Sequence, residues 1–193
     1  MVHPVTPDST TAIQNPVLNA VKNSLLVLAG VVIITASAKI TVPFWPVPMT
    51  LQTMAIMAIA VATGPRVAVA TMLAYLAAGA VGLPVFAGTP ERGIGITYMM
   101  GPTGGYLAGY LIAAGLVGAL ARGRSTVGRF GVMMAGMVPV YLLGLAGLSA
   151  FVPSDKVLAL GFTPFILGDS IKIALVALGF AAANHLKARN KAA

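Results

Sequence analysis

The chain has 193 residues, 58% of them hydrophobic and 8% charged, with a mean hydropathy of +0.93. A soluble domain carries roughly 25% charged residues, so this composition excludes a soluble globular protein and indicates an integral membrane protein. At about 20 residues per span the length accommodates about six helices with short loops. That is one membrane domain, with no room for a soluble catalytic module. The net charge of +8 sits at predicted helix ends, where it sets membrane orientation rather than nucleic-acid binding. No cysteine is present, which excludes disulfides, thiolate nucleophiles and thiolate metal sites.

Residues 1–19 are polar and proline-containing, without the basic n-region and apolar core of a signal peptide. They read as a cytoplasmic N-terminal tail. The first span is expected over 20–39, ending at Lys39. The segment 40–49, ITVPFWPVPM, cannot continue it: Pro43, Pro46 and Pro48 remove donors and hold the preceding residues extended. Its apolar content and rigidity suit a lid over a pocket, although a tight turn with an interfacial Trp45 is the simpler alternative.

The second span is expected over 50–63 and is short. Gly64 and Pro65 mark a turn, and the third span follows over 66–82. Residues 83–100 form a long Gly- and Pro-containing connection, apolar enough to pack back into the protein. The fourth span, 101–121, opens with Gly101, Gly105 and Gly109 spaced four apart, a face that admits another helix closely. A basic loop is expected over 122–129, a fifth span over 130–150, a connection over 151–160 and a sixth span over 161–186. The transmembrane domain therefore covers 20–187, and 188–193 is a basic cytoplasmic tail.

Orientation follows from the Lys/Arg asymmetry. With the N-terminus inside, Lys22, Arg66 and the basic runs at 122–129 and 187–191 are cytoplasmic. Only Lys39, Arg92 and Lys156 fall outside, the last two beside Glu91 and Asp155. Both ends are then inside, the three long connections are external, and a ligand mouth faces outward.

Asp169 and Lys172 lie three apart in the apolar sixth span, so they share one helix face. Ionised groups at bilayer depth cost several kcal/mol and persist when they pair, face a protein interior or bind something polar. A purely structural ion pair is one reading; a ligand site is the other. Asp169 lies about 12 Å of helix from the expected outer end, within reach from outside. Gln52, after the proline-rich hairpin, is a third polar group in an apolar setting. Arg92 is either a solvated partner of Glu91 or a carboxylate clamp carried by an external loop.

No catalytic constellation appears. No histidine lies in the central spans, and no HExxH motif or carboxylate cluster offers a metal site. A phosphate-cradling GxxxxGK[ST] loop is missing as well. The chain is not expected to be an enzyme and carries no cofactor of its own.

Four runs resemble one known family: ITVPFWPVPMTLQT (40–53), YLAAGAVGLPVFAG (75–88), GPTGGYLAGY (101–110) and PFILGDSIK (164–172). They look like the BioY family, the biotin-binding S components of energy-coupling factor transporters, and the resemblance runs from about 20 to 187. It implies an all-α integral membrane protein with six transmembrane helices and structured external loops. It also implies a prokaryotic cytoplasmic membrane, an outward biotin pocket, and partners absent from this chain: a membrane coupling subunit and two ATP-binding subunits. ATP would enter only through those partners.

Under that resemblance Asp169 accepts from the ureido N–H groups of biotin and Lys172 donates to the ureido carbonyl or balances Asp169. Arg92 meets the valerate carboxylate, with the start of the fourth helix as a substitute. The reverse assignment, Lys172 on the carboxylate, stays open. Trp45, Phe44, Phe86 and Tyr106 line the thioether ring and aliphatic chain, and Gln52 and Tyr98 are further polar candidates. Small residues on the first helix, Ala20 and Ser24, face the coupling subunit. The alternatives are another vitamin on the same scaffold, a biotin carrier that needs no ATPase partner, and a scaffolding membrane protein without a ligand.

Overall fold

The structure, a computed structural model, describes residues 16–43 and 48–192, with side chains to residue 190. Phe44 and Trp45 therefore lie outside the described residues, as does the N-terminal tail up to residue 15. The fold is helical: α1 Pro16–Lys39, α2 Gln52–Thr63, α3 Pro65–Ala80, α4 Gly95–Met99, α5 Gly104–Leu120, α6 Thr126–Leu148, α7 Val157–Gly161 and α8 Thr163–Ala192. A two-residue antiparallel pair, β1 Thr41–Val42 and β2 Met49–Thr50, forms the base of the hairpin.

Three helical stretches are long and apolar enough to cross a membrane: Pro16–Lys39, Thr126–Leu148 and Ser154–Asn190. Their outward faces are apolar. Leu28, Val32, Leu142, Leu175 and Leu178 are each more than half exposed, a pattern that suits lipid rather than water. The remaining apolar helices, α2, α3 and α5, are shorter.

Element boundaries follow local chemistry. The first helix is already formed at Pro16, where the described residues begin, ahead of residue 20, where the span was expected. The 50–63 span loses its first residues to β2, because Leu51 N–H donates back to Ser37 and Ile40 at 3.2 and 3.3 Å. Gly64, at φ +80°, turns the chain so that Pro65 can open α3. The basic loop is shorter than 122–129: Ser125 accepts from the Gly128 N–H at 3.2 Å and caps α6, so Thr126 to Arg129 are helical. The expected tail at 188–193 continues α8 as far as Ala192.

Glycines set the closest helix contacts. On α5, Gly105 faces the Leu143 carbonyl and Gly109 faces the Val140 backbone of α6, leaving no room for a Cβ. On α6, Gly144 lies under the Tyr106 ring. Gly101, the third member of the expected face, lies before α5 and faces the Tyr98 and Thr97 carbonyls of α4 rather than another long helix. The core centres on Ile56, Met57, Met72, Val117, Met133 and Ile173, all essentially inaccessible. It closes one end of the helix cluster. Toward the hairpin the helices part around a cavity.

Candidate functional site

The cavity encloses about 270 Å³. Its walls come from the hairpin base (Pro48, Met49), the start of α2 (Gln52, Thr53), α5 (Tyr106, Tyr110) and α6 (Tyr141). Phe165, Asp169 and Lys172 on α8 complete one side, and Arg92 and Tyr98 the other.

Asp169 and Lys172 are 5% and 7% exposed and form an ion pair at 2.9 Å, one helical turn apart. Among the described residues it is the only side-chain salt bridge. Burying two charges costs several kcal/mol of lost hydration, which their attraction offsets only with good geometry and further hydrogen bonds. The further bond comes from α6: the Tyr141 hydroxyl donates to Asp169 Oδ2 at 2.7 Å. Tyr141 is itself held edge-on against Phe162, with ring centroids 4.9 Å apart.

Capacity remains. Lys172 Nζ has three donors and, among the described residues, one protein partner, Asp169 Oδ1. Each Asp169 oxygen has a second lone pair. The pair can therefore take up a ligand group that is both donor and acceptor.

Other polar groups are arranged around it. Gln52 Nε2 donates to the Tyr75 hydroxyl at 3.3 Å, and that hydroxyl donates to the Val85 carbonyl at 3.1 Å. The Gln52 side-chain carbonyl has no protein partner among the described residues. Thr53 Oγ1 and the Tyr110 hydroxyl are 2.7 Å apart. Tyr106 donates to the Gly161 carbonyl at 2.8 Å, and Tyr98 to the Ala87 carbonyl at 2.6 Å. Both hydroxyls are therefore engaged by backbone carbonyls, and Tyr98 is a wall residue rather than a free polar group.

Arg92 lines the cavity from the turn between α3 and α4. It makes no ion pair with Glu91, contrary to one expectation, and its guanidinium has no protein partner among the described residues. Phe86, expected to line the pocket, is not among the cavity-lining residues. It is 1% exposed and stands behind the wall, stacked on Tyr98 at 4.9 Å and edge-on to Tyr75 at 5.3 Å. The bare Cα of Gly79 gives its ring the room to sink there.

Asp169, Lys172, Gln52, Arg92, Tyr98 and Tyr106 are thus brought together, whereas Phe86 is not. Ala20 and Ser24 are exposed on α1, remote in sequence from every cavity-lining residue. Sequence reasoning missed Tyr141, Tyr110, Thr53 and Met49. A signal existed for Tyr110, which follows Tyr106 at helical spacing on one face. Among the described residues no group of three His, Asp or Glu gathers to hold a metal.

A family model described as the BioY family matches residues 9–189. The chain belongs to the BioY family. Similar relatives include a probable biotin transporter BioY of Pyrococcus horikoshii, 37% identical over 79% of this chain and 90% of that one. The biotin transporter BioY of Thermotoga maritima is 35% identical over 79% of this chain and 91% of its own. The biotin transporter BioY2 of Lactococcus lactis is 34% identical over 86% and 92%. Among solved structures, the crystal structure of the S-component for biotin from an ECF-type ABC transporter is similar with a TM-score of 0.71. Identity there is 27%, covering 86% of this chain and 91% of that one. With this BioY family membership and three membrane-capable helices, the chain is a prokaryotic membrane protein of a transporter family.

Proposed function

We propose that this chain is a biotin-binding membrane subunit for biotin uptake, and that it works with an ATP-driven energy-coupling module. The observation that carries the site assignment is the buried Asp169–Lys172 pair, with donors and acceptors to spare, in a cavity otherwise walled by rings and aliphatic groups. An apolar pocket with a few convergent polar groups is the usual design of a small-ligand site. The ureido ring of biotin has two N–H donors and one carbonyl. Asp169 accepts from an N–H, Lys172 donates to the carbonyl, and the Gln52 carbonyl is a further acceptor.

Arg92 meets the carboxylate, since an unpaired guanidinium is matched in shape and charge to it. Met49, Tyr106 and Phe165 enclose the thioether ring and chain. The segment 40–49, whose sequence includes Phe44 and Trp45, serves as a lid over the mouth. No step of chemistry is performed on the ligand, so the chain is a carrier subunit and not an enzyme.

Six spans, α1, α2, α3, α5, α6 and α8, fit the Lys/Arg asymmetry with both ends cytoplasmic and the cavity outward. At 12 residues, α2 is only about 18 Å long. It spans together with the hairpin base that precedes it. The energising module is a membrane coupling subunit and two ATP-binding subunits, and α1 is the docking helix, through Ala20 and Ser24.

The test is equilibrium binding of biotin to the purified chain in detergent, with desthiobiotin and riboflavin as competitors. Saturable one-to-one binding displaced by desthiobiotin and not by riboflavin is expected. A folded sample that binds no biotin overturns the assignment.

A further inference from the structure

Lys39 is the last residue of α1 and stands directly before the hairpin. Its ammonium is fully committed, and not to a carboxylate. Nζ donates to the Phe86 carbonyl at 2.9 Å, the Thr89 carbonyl at 2.7 Å and Thr89 Oγ1 at 2.8 Å. Thr89 Oγ1 in turn donates to the Phe86 carbonyl at 2.7 Å. A cation at this helix end also faces the negative end of the α1 dipole. Three donors on three acceptors form a bolt from α1 into the turn that follows α3.

That turn carries Arg92. The Arg92 backbone N–H donates to the Gly88 carbonyl at 2.8 Å. The Arg92 stem lies against Gly88, where a Cβ would crowd its Cδ at 2.7 Å. Gly88 has φ +72°, a conformation that side-chain-bearing residues rarely adopt. Ala87, between Phe86 and Gly88, lines the cavity and accepts from Tyr98. The segment from Phe86 to Arg92 is therefore a compact mount, fixed from α1 by Lys39 and from α4 by Tyr98.

We infer that Lys39 is a positioning residue for carboxylate recognition: it holds the turn that aims Arg92 over the cavity. It touches no ligand itself, since Lys39 is not among the cavity-lining residues. The inference rests on the reading of Arg92 as the carboxylate partner. It also makes the end of α1, the root of the hairpin and the Arg92 turn one connected unit, so that a movement of α1 would be felt at the ligand's carboxylate.

The experiment is calorimetric titration of the full chain in detergent with biotin and with biotin methyl ester, which keeps the ring and lacks the negative charge. For Lys39→Met, biotin affinity is expected to fall about tenfold or more, and ester affinity less than about twofold. Lys39→Arg should restore most of the loss, and Lys39→Met combined with Arg92→Gln should be no worse than Arg92→Gln alone. Thr89→Val, which removes one acceptor and spares the lysine, serves if Lys39→Met fails to fold, and should show the same preference on a smaller scale. Equal losses for acid and ester, or additive losses in the double variant, overturn the inference. Wild-type protein that binds biotin but loses no acid preference with Arg92→Gln overturns the Arg92 reading and the inference with it. Acid preference lost with Arg92→Gln and kept with Lys39→Met overturns the role of Lys39 alone.

Discussion

Met49, at the base of the hairpin, rests on the bare Cα of Gly168, one residue before Asp169. Any side chain at 168 would occupy the space of the Met49 thioether. The hairpin base and the helix that carries the polar pair thus meet through the Met49 thioether at Gly168. Gly168→Ala is expected to push Met49 off α8 and open the cavity roof, with biotin affinity falling about tenfold and thermal stability moving little. Titration and a detergent melting curve on the same sample check this. Unchanged affinity would detach the hairpin from the site.

Asp169→Asn keeps the shape, removes the charge and leaves Lys172 buried without its counter-ion. Biotin binding should fall by more than about tenfold, as for a hydrogen bond to a charged group. Size-exclusion profiles in detergent should stay monodisperse. Full affinity in this variant would remove Asp169 from the site.

Tyr141→Phe deletes one hydroxyl and keeps the ring edge against Phe162. The carboxylate loses one of its two protein partners among the described residues, so a smaller loss, about threefold to tenfold, is expected. In a double-mutant cycle the Asp169 and Tyr141 changes should be strongly non-additive, because the hydroxyl acts through the carboxylate. Additive losses would mean that Tyr141 contributes through its ring instead.

Gly109→Val places two methyl groups against the α6 backbone at Val140. The α5–α6 contact must widen, at a cost of about 1–3 kcal/mol or more. A clear drop in melting temperature, with loss of binding only as the protein unfolds, is the expected result.

Ala20→Trp with Ser24→Trp enlarges the exposed face of α1 far from the cavity. Biotin binding to the isolated chain should be unchanged, while co-purification with the coupling and ATP-binding subunits is lost. Intact co-purification would move the docking surface away from these residues.

Where the sequence was legible, it was so for physical reasons. Asp169 and Lys172 stand out because charge is rare in an apolar helix, and a spacing of three puts them on one face. Gly105 and Gly109 announce close helix contact, and Gly64-Pro65 a turn. Tyr141 and Tyr110 were not legible because an aromatic ring in an apolar helix reads as core, and its hydroxyl becomes informative only once a partner faces it. The position of Phe86 was hidden for the complementary reason: only the tertiary fold shows that Gly79 lets its ring sink behind the wall. The α6 start had a readable cap in Ser125 but was masked by its arginines. The helical end of α8 was hidden by charges that in isolation read as a tail.

The Asp169–Lys172 pair has a consequence for what the cavity admits. Its formal charges cancel, so this side of the cavity carries no net charge before any ligand arrives. A neutral ring can exchange hydrogen bonds with both partners without disturbing that balance. A head group bearing a net positive charge, such as a ring-opened diamine in place of the urea, would confront the Lys172 ammonium at close range. A second carboxylate there would confront Asp169. On the proposed binding mode the same two side chains would thus favour a neutral ring, because a net charge of either sign on the head group must compete with the existing ion pair.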